Sequence, residues 1–171
     1  MTETIKEVIK EKVGEKDTGE VEVADKRLEL LKRHFGYDKF RPMQKEVIDE
    51  IIKGNDTLVI MPTGGGKSIC YQLPSLSFDG ITLVISPLIS LMKDQVDSLN
   101  ANGISAEYIN SSQKSDEIME IKRRMNLKEI KLLYIAPERL SQEEFKEFLK
   151  GITSKYSPET PALIPAFGVR G

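Results

Sequence analysis

Apolar positions change their spacing several times along this 171-residue chain. Residues 1–25 show no period: charges alternate and apolar side chains are few, which predicts a mobile charged arm. From Leu28 the spacing becomes helical. Leu28, Leu31 and Phe35 share one face, and Gly36 supplies a stop. Met43, Val47, Ile48, Ile51 and Ile52 make a second stripe, with Pro42 at the first helical position and Gly54 at the end.

Short apolar runs follow. Residues 56–62 (DTLVIMP), 81–86 (ITLVIS), 106–110 (AEYIN) and 131–136 (KLLYIA) read as buried strands, the third being the weakest. Helical segments separate them. SICYQL follows the first run. Leu88 to Asn100 follows the second, with Leu88, Leu91, Met92, Val96 and Leu99 inward. Ile118, Ile121 and Met125 mark a third. After the last run, Ser141 and Glu144 have the spacing of a capping box ahead of Phe145, Phe148 and Leu149. Strands alternating with helices predict an α/β domain over 26–150, with a mainly parallel sheet and flanking helices. Residues 151–171 carry prolines and no period, which predicts an irregular tail.

Composition narrows the chemistry. The formal net charge is −2, so any nucleic-acid contact must come from local placement of cations rather than an overall basic excess. Cys70 is the one cysteine, which excludes an internal disulfide and fits a reducing compartment. His34 is the one histidine, leaving little for a histidine metal site or triad. No apolar run reaches membrane-spanning length, and the first residues lack a signal-peptide core. The expectation is a cytoplasmic protein, nucleoid-associated where it binds DNA.

The strongest local signal is PTGGGKS, residues 62–68, where a strand-like run meets a helix-like one. Glycines permit backbone angles that other residues resist. Consecutive N–H groups from Gly64 through Gly65, Gly66 and Lys67 to Ser68 can then converge on phosphate oxygens, helped by the helix N-terminus. Lys67 would reach the β- and γ-phosphates, and Ser68 would offer its hydroxyl to Mg²⁺. The strict P-loop spacing is not met, because its first glycine falls on Met61. The bland alternative is a glycine turn with a solvated lysine.

FGYDKFRPMQ, residues 35–44, adds Tyr37, Arg41 and Gln44. A tyrosine ring and a guanidinium can stack on a purine, and a glutamine amide can pair with an adenine edge. Spacing alone favours a surface tyrosine and a cap-region arginine.

Taken together, FGYDKFRPMQ, MPTGGGKSICYQLP, SPLISLMKDQ, INSSQ and LLYIAPERL resemble the RecQ family of superfamily 2 helicases from about Leu28 to about Leu149. The resemblance implies an incomplete RecA-like P-loop NTPase domain that binds ATP and Mg²⁺. Gln44 would recognise adenine with Tyr37 and Arg41 packed on the base. Thr63 to Ser68 would hold the phosphates and the metal, with Lys67 as the catalytic lysine. Ser86 to Gln95, notably Ser86, Ser90 and Lys93, and the segment around Arg139 would line a track for single-stranded or partly duplex DNA. Family members unwind DNA in the 3′ to 5′ direction using ATP, in recombination and repair. Taken singly, Ser86, Ser90, Lys93 and Arg139 read as helix caps or solvated side chains.

The family's Asp-Glu-Ala-His strand has no counterpart after residue 136, and the adjacent Asp49 and Glu50 read as solvated carboxylates. The expectation is therefore ATP binding with negligible hydrolysis and no unwinding by this chain alone, and a marginal, aggregation-prone fold. Three readings stay open: a piece of a RecQ-like helicase, a non-catalytic module for ATP or single-stranded DNA, and another P-loop enzyme such as a small kinase. The last lacks a downstream acidic strand and an arginine-bearing lid.

Overall fold

The computed structural model describes residues 19–62 and 64–153. Its helices are α1 (Gly19–Phe35), α2 (Gln44–Ile52), α3 (Lys67–Ser75), α4 (Ile89–Ala101), α5 (Ser115–Asn126), the short α6 (Pro137–Leu140) and α7 (Glu143–Thr153). Its strands are β1 (Thr82–Ile85), β2 (Ala106–Ile109) and β3 (Leu132–Ile135). They form a parallel sheet in the order β1-β3-β2, with β3 central. Thr82 and Ala106 both lie level with Leu132, and Ile85 and Ile109 with Ile135. The α/β class with a parallel sheet and flanking helices is as the alternation of runs predicts, and it fits an incomplete RecA-like domain.

Side chains of a strand alternate between faces, so each apolar strand feeds two cores. One face collects Leu83, Leu133, Ile109 and Ile135 beneath Ile121 and Met125 of α5 and Phe145 of α7. The other collects Val84, Leu132 and Tyr134 beneath Met92, Val96 and Leu99 of α4. A third cluster joins Leu31 of α1, Ile48 of α2, and Ile69 and Leu73 of α3. Arg27, which is buried, pairs with Asp49, and Lys45 donates to the same carboxylate at 2.7 Å. Asp49 is thus a tie between α1 and α2 rather than a solvated acid. Glu50 accepts from Lys53 and Asn55 at the end of α2.

Several expectations are corrected. Residues 56–62 form no strand: Leu58 is 90% and Ile60 82% exposed, while Val59 and Met61 turn inward onto Val47 and Cys70. A strand needs a neighbour for its N–H and C=O groups, and among the described residues no strand lies beside this run. Pro42 lies in a turn before α2, not in it. Gln44 N donates to Arg41 O at 3.1 Å, and Met43 sits at φ 69°, ψ −15°. That is a type II geometry, with proline setting the first central position, and it leaves Met43 exposed. Leu88 and Leu91 are also exposed, because α4 turns only Met92, Val96 and Leu99 onto the sheet.

Ser141 does not cap α7; its hydroxyl donates to Glu138 O at 2.7 Å, and Gln142 O accepts the Phe145 and Lys146 N–H groups at 3.1 Å. A carboxylate of the capping-box type occurs instead at α5, where Glu117 accepts the Lys114 N–H at 2.9 Å. Helix α1 reaches back to Gly19, into the stretch expected to be an arm. Residues 1–18 of that arm, and 154–171 of the tail, lie outside the described residues.

Candidate nucleotide cleft and its neighbouring edge

The glycine loop runs into α3 with Gly66 as its N-cap residue, at φ 80°, ψ 32°. Only glycine adopts this left-handed conformation freely. Gly65 N donates to Pro62 O at 3.0 Å, which tightens the loop. Lys67 and Ser68 are the first residues of α3, so their N–H groups have no carbonyl one turn earlier in the helix. The helix dipole adds partial positive charge at the same place. Lys67 Nζ donates to Met61 O at 2.9 Å, which holds the ammonium over the loop. Thr63 lies outside the described residues.

The turn before α2 meets this loop directly. Arg41 donates to Gly64 O through its guanidinium, and Gln44 Nε2 donates to Gly66 O at 3.0 Å. Gln44 Oε1 accepts the Arg41 N–H at 2.8 Å, so the buried amide of Gln44 is engaged at both ends. The Arg41 guanidinium carbon lies 5.9 Å from the centre of the Tyr37 ring, a cation–π contact. A purine between them would require about twice a ~3.5 Å stacking distance, so the pair would have to part. Beside it, Lys32 and Asp38 form an exposed ion pair at 2.8 Å, and the Lys32 hydrogen bond holds the Asp38 carboxyl below its ordinary value.

Between these parts lies a cavity of about 700 Å³. Tyr37, Lys39 and Arg41 line one side, Gly66, Lys67 and Ser68 the floor, and Leu91, Gln95 and Asn102 of the α4 side the far wall. The lining residues include the cations Lys39, Arg41 and Lys67 and no carboxylate. Its size is that of a small-molecule site, and its charge suits a polyanion. The sequence-predicted Tyr37, Arg41, Gln44, Gly64, Gly66, Lys67 and Ser68 therefore share one cleft. Lys39 was missed, although it sits inside FGYDKFRPMQ; a lone lysine among five charged or aromatic neighbours gives no signal of its direction. Gln95, expected at the end of the DNA track, lines this cleft instead, and Asn102 was missed, because helical spacing shows a shared face but not what that face meets.

The other predicted group lies elsewhere, where the strands end. Ser86 follows β1 and is buried, and its hydroxyl accepts the Leu88 N–H at 3.4 Å ahead of α4. Ser90 and Lys93 are exposed on α4, on the side opposite the one formed by Leu91 and Gln95. Arg139 follows β3. Its Nε and Nη2 donate to Asn110 O at 3.0 and 2.7 Å, and its Nη1 to Gln142 Oε1 at 3.0 Å. Asn110, which follows β2, is buried, and its carboxamide oxygen accepts both the N–H and the hydroxyl of Ser112 at 2.8 Å. Ser86, Asn110 and Arg139 thus stand at the carboxyl ends of the three parallel strands, the edge where open α/β sheets place ligands.

A family model described as DEAD/DEAH box helicase matches residues 41–154, which include the loop, the cleft wall and the strand ends. The chain belongs to the DEAD/DEAH box helicase family. Within it, the relatives are of the RecQ kind. The ATP-dependent DNA helicase RecQ of Bacillus subtilis (strain 168) is 58% identical over 126 residues, covering 72% of this chain and 21% of that protein. The protein of the same name from Haemophilus influenzae is 52% identical over 122 residues, covering 71% and 20%. The ATP-dependent DNA helicase Q1 of Mus musculus is 42% identical over 130 residues, covering 75% and 20%. The chain spans about a fifth of the length of these relatives. Among the described residues no helix is long and apolar enough to cross a membrane.

Proposed function

We propose that this RecQ-like chain binds ATP with Mg²⁺ in the cleft between the glycine loop and α4, as the nucleotide-holding part of a 3′ to 5′ ATP-dependent DNA helicase. The observation that carries this reading is the make-up of the cleft: Lys39, Arg41 and Lys67 with a helix N-terminus, and no carboxylate in its lining. Such a site favours a polyphosphate over any neutral or cationic ligand. The amides of Gly64, Gly66, Lys67 and Ser68 and the Lys67 ammonium hold the phosphates, while the Gly65 N–H, expected to join them, stays on Pro62 O. The Ser68 hydroxyl would be a ligand for Mg²⁺, which would supply neutralisation of phosphate charge when bound. Tyr37 and Arg41 separate to stack on the base, and Gln44 exchanges a loop contact for the adenine edge.

The edge formed by Ser86, Ser90, Lys93 and Arg139 faces single-stranded or partly duplex DNA. Ser90 and Lys93 act by contact with phosphates, Ser86 by fixing the start of the helix that presents them, and Arg139 by tying the segment after β3 to the end of β2. Hydrolysis needs a base for the attacking water and charge on both sides of the transferred group. Among the described residues the cleft lining holds no carboxylate to serve as that base. The 171-residue chain alone therefore holds ATP without appreciable turnover or unwinding.

Isothermal titration with Mg-ATP tests the reading. Saturable binding by the folded chain, lost in Lys67→Ala, is the expected result. Absence of heat and saturation on folded material, or equal affinity in Lys67→Ala, overturns it. Robust phosphate release by the purified chain would overturn the claim of negligible turnover.

A further inference from the structure

The far wall of the cleft differs in chemistry from the rest of it. Leu91, Gln95, Ser98 and Asn102 recur at intervals of three and four residues, so one stripe of α4 and its C-terminal cap faces the cavity. On α3, Gln72 lies one helical turn beyond Ser68 and meets that stripe through Gln95. The cations Lys39, Arg41 and Lys67 belong to the opposite side and the floor. The polar groups of the α4 wall are neutral: the carboxamides of Gln72, Gln95 and Asn102 and the hydroxyl of Ser98.

The hydrogen bonds of this wall are set from beneath it. Gln72 is 5% exposed, and its Nε2 donates to the Tyr134 hydroxyl at 3.0 Å and to Gln95 Oε1 at 2.9 Å. Both amide hydrogens are used, so Gln72 has only its oxygen left to offer, as an acceptor. Among the described residues no protein group donates to that oxygen, and no fully buried side-chain oxygen or nitrogen lacks a partner. The Gln72 oxygen therefore reaches open space, and the open space that Gln72 lines is the cleft. The same bond holds Gln95 by its oxygen and leaves the Gln95 amide hydrogens without a protein partner. The Ser98 hydroxyl and the Asn102 carboxamide, on the same stripe, are likewise unpaired among the described residues.

We infer that Gln72, Gln95, Ser98 and Asn102 form a sugar subsite, which recognises the ribose hydroxyls of the nucleotide. The inference rests on the reading of the cleft as a nucleotide site. A sugar hydroxyl both donates and accepts, and the Gln72 oxygen and Gln95 amide, on either side of one hydrogen bond, meet it in both roles. The other parts of a nucleotide suit this wall less. Phosphates go to the cations and the helix N-terminus. A base is held flat against a ring or a guanidinium, and the aromatic residues of the lining, Phe35 and Tyr37, stand at and just after the end of α1, with Arg41 beyond. One helical turn, about 5.4 Å, separates Ser68 from Gln72, which leaves room for a sugar beyond phosphates held at Ser68.

Isothermal titration of the full chain with Mg-ATP and with the Mg complex of dideoxy-ATP, which lacks both sugar hydroxyls, tests the subsite. The unaltered chain is expected to bind ATP at least about fivefold more tightly, because dideoxy-ATP leaves the wall unpaired. In Gln95→Ala that ratio falls to within about twofold of unity, through weaker binding of ATP and not of dideoxy-ATP. Ser98→Ala, at an exposed position, lowers the ratio by a smaller step. Equal affinity of the unaltered chain for both ligands overturns the subsite and leaves the nucleotide reading in place. A ratio that persists in full in both variants also overturns it, since the preference then arises on another wall. Saturation by neither ligand, on folded material, removes the nucleotide reading itself, and the subsite with it.

Discussion

The Gln44 side-chain amide donates to the Gly66 carbonyl at 3.0 Å, so the start of α2 and the loop ahead of α3 hold each other without an intermediary. Gly66 is doubly constrained there. Its φ of +80° disfavours any Cβ, and a Cβ at that position would overlap the Gln44 side-chain nitrogen. Gly66→Ala is expected to destabilise the fold by about 1–3 kcal/mol. Removing the neighbour separates the two causes. In a Gln44→Ala background the overlap is gone and only the backbone strain remains, so Gly66→Ala costs less there. Urea denaturation of the four proteins in this cycle checks the prediction; an equal cost in both backgrounds would show that the two residues do not meet.

Residues 57–61 make a second case where position, not residue type, sets the energy. Leu58 and Ile60 are almost fully exposed, while Ile48 is fully buried. Leu58→Ser and Ile60→Ser should each change stability by less than about 0.5 kcal/mol. Ile48→Ala should cost about 2–5 kcal/mol. Two adjacent exposed apolar side chains are expected to promote self-association, so the double serine variant should associate only at higher concentration than the unaltered chain in sedimentation. A loss of about 2 kcal/mol on Leu58→Ser would instead place that side chain in a core.

That contrast shows what the sequence could and could not reveal. The runs at 81–86, 106–110 and 131–136 became strands because each has a hydrogen-bonding partner and feeds both cores. The run at 56–62 has the same β-branched composition, but pairing is a non-local property that a run of residues does not contain. The glycine loop was legible because GGGKS carries its own backbone requirement, as the φ of Gly66 shows. Tyr37, Arg41 and Gln44 were legible as a group through resemblance, but not their contacts with Gly64 and Gly66, which join elements far apart in sequence. Tyr134 was read as one more apolar strand residue; nothing local marks that its hydroxyl meets Gln72.

Cys70 lies on α3 beneath the glycine loop, buried against Met61. Burial pushes its thiol up to about 11. At pH 8 the thiolate fraction is then on the order of one in a thousand, so iodoacetamide should label the native chain far more slowly than the urea-unfolded chain. The sign of the pH effect follows. Between about 8.5, the unfolded value, and about 11 the native state keeps a proton that the unfolded state has lost. Stability should therefore fall as pH rises through that window. Labelling at equal rates in the native and unfolded chains would refute the burial of this thiol.

Arg139 and Lys93 are both cations near the strand ends, yet they are predicted to act differently. Arg139 spends Nε and Nη2 on the Asn110 carbonyl and Nη1 on Gln142. Arg139→Ala leaves that buried residue's carbonyl without its fork and should cost about 1–3 kcal/mol of stability. Arg139→Lys should recover little, because an ammonium cannot reproduce a planar fork. Lys93 is exposed on α4, and Lys93→Ala should leave stability within about 0.5 kcal/mol. Binding of a thymidine oligonucleotide, measured by fluorescence anisotropy across a salt series, separates the roles. Each phosphate contact on a single strand contributes about 0.7 to the slope of log affinity against log salt. Lys93→Ala should lower that slope by about this amount, whereas Arg139→Ala should weaken binding with the slope unchanged. A slope that drops in Arg139→Ala and holds in Lys93→Ala would reverse the assignment and make Arg139 the direct phosphate contact.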